Sequence, residues 1–310
     1  MSLAGSAREL DARALRQRAW LMAVAAAILF STGGAAVKAA SLTSWQVASL
    51  RCGVAALALP LLLPSARRRP PLRIWPVALA YAGTLTCFVV ATKWTTAANA
   101  IFLQSTAPLY VLCVAPWVLK ERIRGRDLLY MVFLAAGMAL FFLGAQEPTA
   151  TAPRPLAGNL VGVVTGMCWG MTVLGLRWLE SSGNRDAPGA AGPAVLAGSV
   201  LAFVVCLPAA WPLTSISLAD AGAVIFLGVV QIALAYRLLT SAVRHLPALE
   251  VSLLLLMDPV LNPLWAWLFH RETPEAWAVV GCTVILLATA GHLLLSSGPA
   301  SKPPATGPAL

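Results

Sequence analysis

Two charged residues stand where charge is expensive. Arg51 and Asp258 each lie well inside a long apolar run. An ionised side chain at the centre of a bilayer costs ~2.5–3.5 kcal/mol on insertion scales, so it usually has a partner or a task. A guanidinium can hold a carboxylate or phosphate through paired hydrogen bonds. A carboxylate can bind an amine or carry a coupling proton. The two can also neutralise each other as an internal brace, since their depths differ by about five residues, ~7.5 Å of helix. Both uses, cavity wall and brace, are open on the sequence alone. At similar depth lie Thr32, Gln104, Trp169, Tyr236 and Asn262, which makes them candidate pathway residues, although a packed core position suits each one equally.

Pro108 and Pro259 fall in mid-run, where proline removes a backbone donor and kinks a helix. A glutamate follows each by thirteen residues, Glu121 and Glu272, just past the end of its run. Lys120, Arg122 and Arg271 stand beside them, which predicts interfacial ion pairs at helix ends, with gating as the second reading. Other chemistry is thinly represented. His245, His270 and His292 lie near run ends, and the six cysteines are spread over six different runs with no Cys-x-x-Cys pair. Neither a zinc site nor a redox motif follows from that spacing. No Gly-x-x-x-x-Gly-Lys-Ser/Thr loop is present, so no nucleotide-driven step is expected, and no cofactor or metal. Embedded proteolysis or magnesium chemistry would need clustered acids or a Ser–His pair. Asp258 stands alone, which leaves an intramembrane enzyme as a remote alternative.

The elements that must position these residues are membrane spans. Hydrophobic residues make up 59% of the 310-residue chain and charged residues 11%, where soluble domains carry about 25% charged. That excludes a conventional soluble enzyme, a disordered chain and a nucleic-acid-binding domain. Crossing the hydrocarbon layer takes about 20 apolar residues. Ten stretches meet that length, near 20–40, 44–64, 74–94, 97–119, 126–145, 158–179, 192–213, 217–239, 247–270 and 275–296. None shows the alternation of barrel strands, so the expected class is an all-α integral membrane protein.

Seventeen of the 22 Lys and Arg residues fall on one side if the N-terminus is cytoplasmic; Lys38, Lys93, Arg154 and Arg271 fall on the other, and Arg51 is inside a span. This asymmetry predicts a multi-pass protein of the cell (cytoplasmic or inner) membrane with both termini in the cytoplasm and an even number of spans. Gly33-Gly34, Gly162 with Gly166 and Gly166 with Gly170 have the small-residue spacing that brings helices close.

The chain also repeats itself. Ala97–Glu121 aligns with Ala248–Glu272 at an offset of 151, matching Pro108 to Pro259 and Lys93 to Arg244; at the front of each half an offset of 139 matches Phe30-Ser31 to Trp169-Gly170 and Lys38 to Arg177. Two units of five spans result, with the second inverted because five is odd. The expected organisation is a tail at 1–19, a first five-helix repeat at 20–146, a second at 155–297 and a tail at 298–310. Inverted repeats are an architecture of secondary transporters with a midplane site between the halves.

These residues resemble the drug/metabolite transporter superfamily, in particular its EamA-type ten-span members, over roughly residues 18–297. The resemblance is carried by Arg51, Ala97…Pro108…Leu119-Lys120-Glu121-Arg122, Trp169-Gly170, Leu239…Leu246-Pro247-Ala248 and Asp258-Pro259-Val260…Glu272. The chain departs from the usual pattern in having Asp258-Pro259 in place of Glu-Pro, and Phe30-Ser31 where Trp-Gly is common.

The resemblance implies a secondary transporter of a small organic solute, most often an exporter, without a cofactor. One deep positive and one deep negative charge favour an amino acid or related zwitterion. A proton-coupled exporter of lipophilic cations is the alternative, because Asp258 could serve a cation. The partners expected are the solute, the lipid bilayer and, as coupling ion, protons. No nucleic acid is expected, and a monomer is the default with a dimer as the alternative.

Overall fold

The structure, a computed structural model, describes residues 3–118, 125–143, 147–181, 190–213, 216–242, 246, 251 and 254–296. Every regular element among them is helical. Eight described helical stretches are long and apolar enough to cross a membrane. The expected spans at 126–145 and 247–270 correspond to shorter described helices, Gly125–Leu140 and Met257–His270. The chain is therefore an all-helical, multi-pass membrane protein.

Helix α1 (Leu3–Ser31) begins seventeen residues before the expected span. Its first turns are rich in Ala, Leu, Arg and Glu, all strong helix formers, so the helix continues beyond the apolar run. After Thr32 the same span resumes as α2 (Gly33–Ala39). The break has a local cause. Ser31 Oγ donates to Ile28 O at 2.7 Å and Thr32 Oγ1 to Leu29 O at 2.7 Å, each three residues back. Such bonds compete with the helical ladder, and the following Gly-Gly pair weakens it further.

The next spans are α3 (Ser44–Leu62) and α4 (Trp75–Trp94), each a single helix. A capping box between Thr43 and Gln46 starts α3. The fourth span is split into α5 (Ala97–Gln104) and α6 (Ala107–Val118). Pro108 explains the split, because its ring collides with the carbonyl four residues earlier and it offers no N–H. The first half ends with α7 (Gly125–Leu140).

The second half opens with two unbroken helices, α8 (Pro155–Ser181) and α9 (Ala191–Ala210). The next span is α10 (Leu218–Ile225), a π-helical stretch at Phe226–Leu234 and α11 (Ala235–Ala242). Last come α12 (Met257–His270), preceded by a turn at Leu256, and α13 (Ala276–Ser296). The repeat offset of 151 places Ser105, in the break of the fourth span, opposite Leu256. Both mid-run prolines therefore follow a break in matching register.

The main contacts run between the halves rather than within them, and most come in exchangeable pairs. The α4–α8 contact has its counterpart in α11–α1, and α4–α9 in the π stretch against α3. Similarly, α5 and α6 on α8 correspond to α12 on α1 and α2, while α3–α9 and α7–α13 are their own counterparts. The outer surface is apolar, with Leu57, Leu61, Leu79, Val205 and Leu287 exposed.

Candidate functional site

A cavity of about 490 Å³ lies between the two halves, within the ~300–1,000 Å³ range of small-molecule sites. Seven sequence-predicted residues line it: Arg51, Gln104, Pro108, Trp169, Tyr236, Asp258 and Pro259. Two do not. Thr32 is spent on the break in the first span, where it bonds Leu29 O. Asn262 is fully buried, against Gly34 of α2. Thr32 stands in the break between α1 and α2, and Asn262, on nearly the same face of α12 as Asp258, lies one turn further towards the Lys38 end. Glu121 lies outside the described residues.

The capping box fixes where α3 begins, so Arg51 falls two turns into it. Arg51 is 1% exposed. Its Nη2 donates to Leu85 O at 2.7 Å, and the guanidinium lies 5.9 Å from the centre of the Phe88 ring. Asp258 occupies the first turn of α12, rather than the middle of a continuous span, because the chain turns at Leu256. A helix N-terminus carries a partial positive charge that favours a carboxylate. Among the described residues no ion pair joins Arg51 to Asp258, so the two are not held as a brace.

Buried polar atoms without hydrogen-bond partners concentrate here. Arg51 Nε, Tyr81 Oη, Gln231 Oε1 and Asp258 Oδ1 all belong to cavity-lining residues and all lack a partner. Leaving such an atom unpaired costs ~1–3 kcal/mol. They supply both donors and acceptors to one otherwise apolar chamber. The aromatic wall is ordered by Tyr236, whose ring meets Phe30 edge-on at 5.4 Å and Tyr81 edge-on at 5.8 Å.

Gln231 and Tyr81 were not singled out from the sequence. Gln231 had a signal, being an amide in the otherwise apolar run 221–235. Its position within the π stretch had none. π-helical segments recur at functional sites because they displace side chains from the regular helical register.

The two ends of the bundle differ. At one end lie the turns near residues 39–44, 94–97, 147–154, 210–213, 216–217 and 270–276, tied together by bonds between residues far apart in sequence. Asp220 accepts from Ser41 N at 2.6 Å and Ser41 Oγ at 2.8 Å. Gln46 donates to Ala210 O and Pro212 O. Lys93 donates to Ala40 O.

Glu272 was expected to pair with Arg271. Its carboxylate instead meets Lys38 at 2.9 Å, 234 residues away in sequence, with both side chains at most 5% exposed. Its other oxygen accepts from Ala97 N at 2.9 Å. This is the Lys38 end.

At the opposite end, here the Arg126 end, His292 lines the cavity. It stacks on Tyr130 at 4.3 Å, and its Nε2 lies 3.6 Å from Asp127 Oδ1. Arg51 and Gln104 stand seven residues from the Lys38-end starts of α3 and α5, about 10 Å of helix. His292 stands four residues from the Arg126-end terminus of α13, about 6 Å. Ile101, also in the lining, stands four residues from the Lys38-end start of α5, so the chamber occupies the middle of the bundle.

Broken helices, a chamber between paired halves and buried polar atoms awaiting a partner describe a membrane transporter for a small molecule. Comparison with known proteins gives the family. The model of the EamA-like transporter family matches residues 17–143 and again 156–294. The chain belongs to that family, and it is a transporter rather than an enzyme. It is 26% identical over 277 residues to the pseudopaline exporter CntI of Pseudomonas aeruginosa, covering 86% of this chain and 93% of that one. It is 23% identical over 204 residues to the uncharacterized transporter YyaM of Bacillus subtilis, covering 64% and 65%. A solved crystal structure shares the fold with a TM-score of 0.60 at 19% identity, covering 89% of this chain and 96% of that one.

Proposed function

We propose that the protein exports a small zwitterionic metabolite, such as an amino acid or a close relative, by alternating access between two inverted five-helix halves. The observation that carries this reading is the set of unpartnered atoms in one chamber: Arg51 Nε, Tyr81 Oη, Gln231 Oε1 and Asp258 Oδ1. A solute with a carboxylate at one pole and an ammonium at the other repays the desolvation of both Arg51 and Asp258, and apolar bulk suits the remaining wall. A lipophilic cation repays only Asp258.

The exchangeable contact pairs support the inverted two-fold arrangement. The clustering of Lys and Arg supports an orientation with both termini and the Arg126 end in the cytoplasm. The buried Lys38–Glu272 pair at the other end supports a chamber that faces inward, where an exporter loads. The name of the Pseudomonas aeruginosa relative supports export as the direction. One chain completes the chamber, which favours a functional monomer in the inner membrane. Asp258, a carboxylate in the lining, is the group for any coupling proton.

Flux in proteoliposomes tests this, with amino acids, nucleosides and lipophilic cations supplied with and without a pH gradient. Saturable flux of zwitterions is expected. Asp258→Asn should lower it about tenfold or more, equivalent to roughly 1.4 kcal/mol of lost solute or proton interaction, with the fold intact by circular dichroism. Wild-type-like, gradient-driven flux through Asp258→Asn would remove that carboxylate from the mechanism. Flux of cations alone would replace the zwitterion with the drug-export alternative.

A further inference from the structure

We propose that Lys38 and Glu272 form the latch that seals the chamber from the Lys38 end, and that breaking this pair is the step that opens that end. The inference rests on the alternating-access reading above. It begins with the number of bonds Lys38 makes. A lysine ammonium has three hydrogens, and here each has an acceptor: Glu272 Oε1 at 2.9 Å, Thr95 O at 2.8 Å and Thr151 O.

Those acceptors come from three separate turns. Glu272 belongs to the second half, Thr95 to the first, and Thr151 to the segment that joins them. Glu272 Oε2 meanwhile takes the Ala97 N–H at the start of α5. One cation and one carboxylate thus gather the ends of four spans and the segment between the halves.

What lies beneath the pair indicates a closed passage. Along α12, Asn262 follows Asp258 by about one helical turn, towards the Lys38 end. It is fully buried, and neither its Nδ2 nor its Oδ1 has a partner. Gly34 and Ala97 close over it: a Cβ added at Gly34 would meet both the Asn262 side chain and the Ala97 Cβ. An unpartnered amide between the chamber's polar atoms and a buried ion pair marks the continuation of a polar route that is shut at this point.

The energetics distinguish a latch from a rivet. A buried ion pair contributes little net stability compared with apolar residues of the same size, yet it costs a great deal to leave one partner alone in the dry interior. Such a pair is either fully made or separated with both charges hydrated. Separation therefore requires water to enter from the Lys38 end, which is the outward-open condition. An apolar plug would give closure without that all-or-none character.

Side-specific labelling tests the latch. Asn262→Cys is introduced into a variant whose six native cysteines are replaced by alanine, and reconstituted protein is treated with a membrane-impermeant maleimide from each face. With Lys38 present, labelling from the Lys38-end face should be slow. Lys38→Met should raise it by at least about tenfold, the population shift that loss of a buried partner supplies. Lys38→Arg, which keeps the charge and the donors, should stay near the parent rate. Glu272→Gln is nearly isosteric and should give an intermediate rise, which keeps the test valid if Lys38→Met does not fold.

Unchanged labelling in both Lys38→Met and Glu272→Gln overturns the latch. Labelling needs no solute, so the two readings fail separately. Absence of flux in the wild type counts against transport alone. Unchanged labelling in a flux-competent protein counts against the latch alone.

Discussion

Helices α4 and α8 lie side by side without interruption, whereas their counterparts under exchange of the halves are both irregular: α11 is preceded by the π stretch, and α1 gives way to α2 at Thr32. Glycines allow the close approach of the first pair. A Cβ at Gly158 would come within 2.6 Å of Thr95 N, one at Gly175 within 2.6 Å of Val77 Cγ2 and one at Gly83 within 2.8 Å of Cys168 Sγ. The second seam has one such approach, Gly33 against Gln231 Nε2 at 2.9 Å, and otherwise carries large and polar side chains, with Phe30, Tyr236 and Gln231 facing the chamber.

A hydroxyl marks the difference at the level of single residues. Thr172 in α8 bonds the carbonyl four residues back, Cys168 O at 2.8 Å, which a continuous helix accommodates. Thr32 bonds three residues back, where α1 stops. Duplicated halves thus share topology without sharing backbone. We read the glycine seam as the fixed hinge side and the interrupted seam as the side that rearranges.

The largest expected effect is on the glycine seam. Gly158→Val places carbon against backbone that cannot step aside, and overpacking of this kind costs about 3 kcal/mol. The variant should lose its monodisperse peak in size-exclusion chromatography; normal elution and thermal stability would show that the seam is not tight. A smaller effect is expected at the break. Thr32→Ala removes the competing hydroxyl and lets the first span become more continuous. The expected result is a few-fold slower flux with little change in melting temperature, and unchanged flux would detach the break from transport. The smallest effect on flux is expected at Thr172→Ala: the side chain is fully buried, so about 1 kcal/mol of stability is lost, with normal flux. A marked loss of flux there would undo the assignment of α8 to the fixed side.

Much of this was legible from sequence for a simple reason. Run length marks membrane spans, so the all-helical membrane class could be read directly. Azimuth could not. A helix apolar on every side has no stripe to say which face meets the chamber, and run length does not say where the chamber stops: Thr32 falls in a helix break and Asn262 one turn past Asp258, beyond the lining. Gln231 and Tyr81 were passed over because a neutral polar side chain in an apolar run reads equally well as packing.

Glu272 shows a different limit. Arg271 beside it is the obvious partner in one dimension, and the actual one, Lys38, is brought close only by the assembly of both halves. Breaks at Pro108 and Pro259 followed from local chemistry, whereas the π stretch had no sequence counterpart.

The exposed residues have a practical consequence. Leu57, Leu61, Leu79, Val205 and Leu287 are as apolar as the interior, yet they face outward. In a bilayer the lipid tails satisfy them at no cost, and helix association depends instead on close packing and internal hydrogen bonds. Extraction removes that jacket while leaving every internal contact in place. Purified material will therefore be only as durable as the amphiphile that replaces the lipid. Its shelf life will report the quality of that substitute before it reports anything about the protein's own interior.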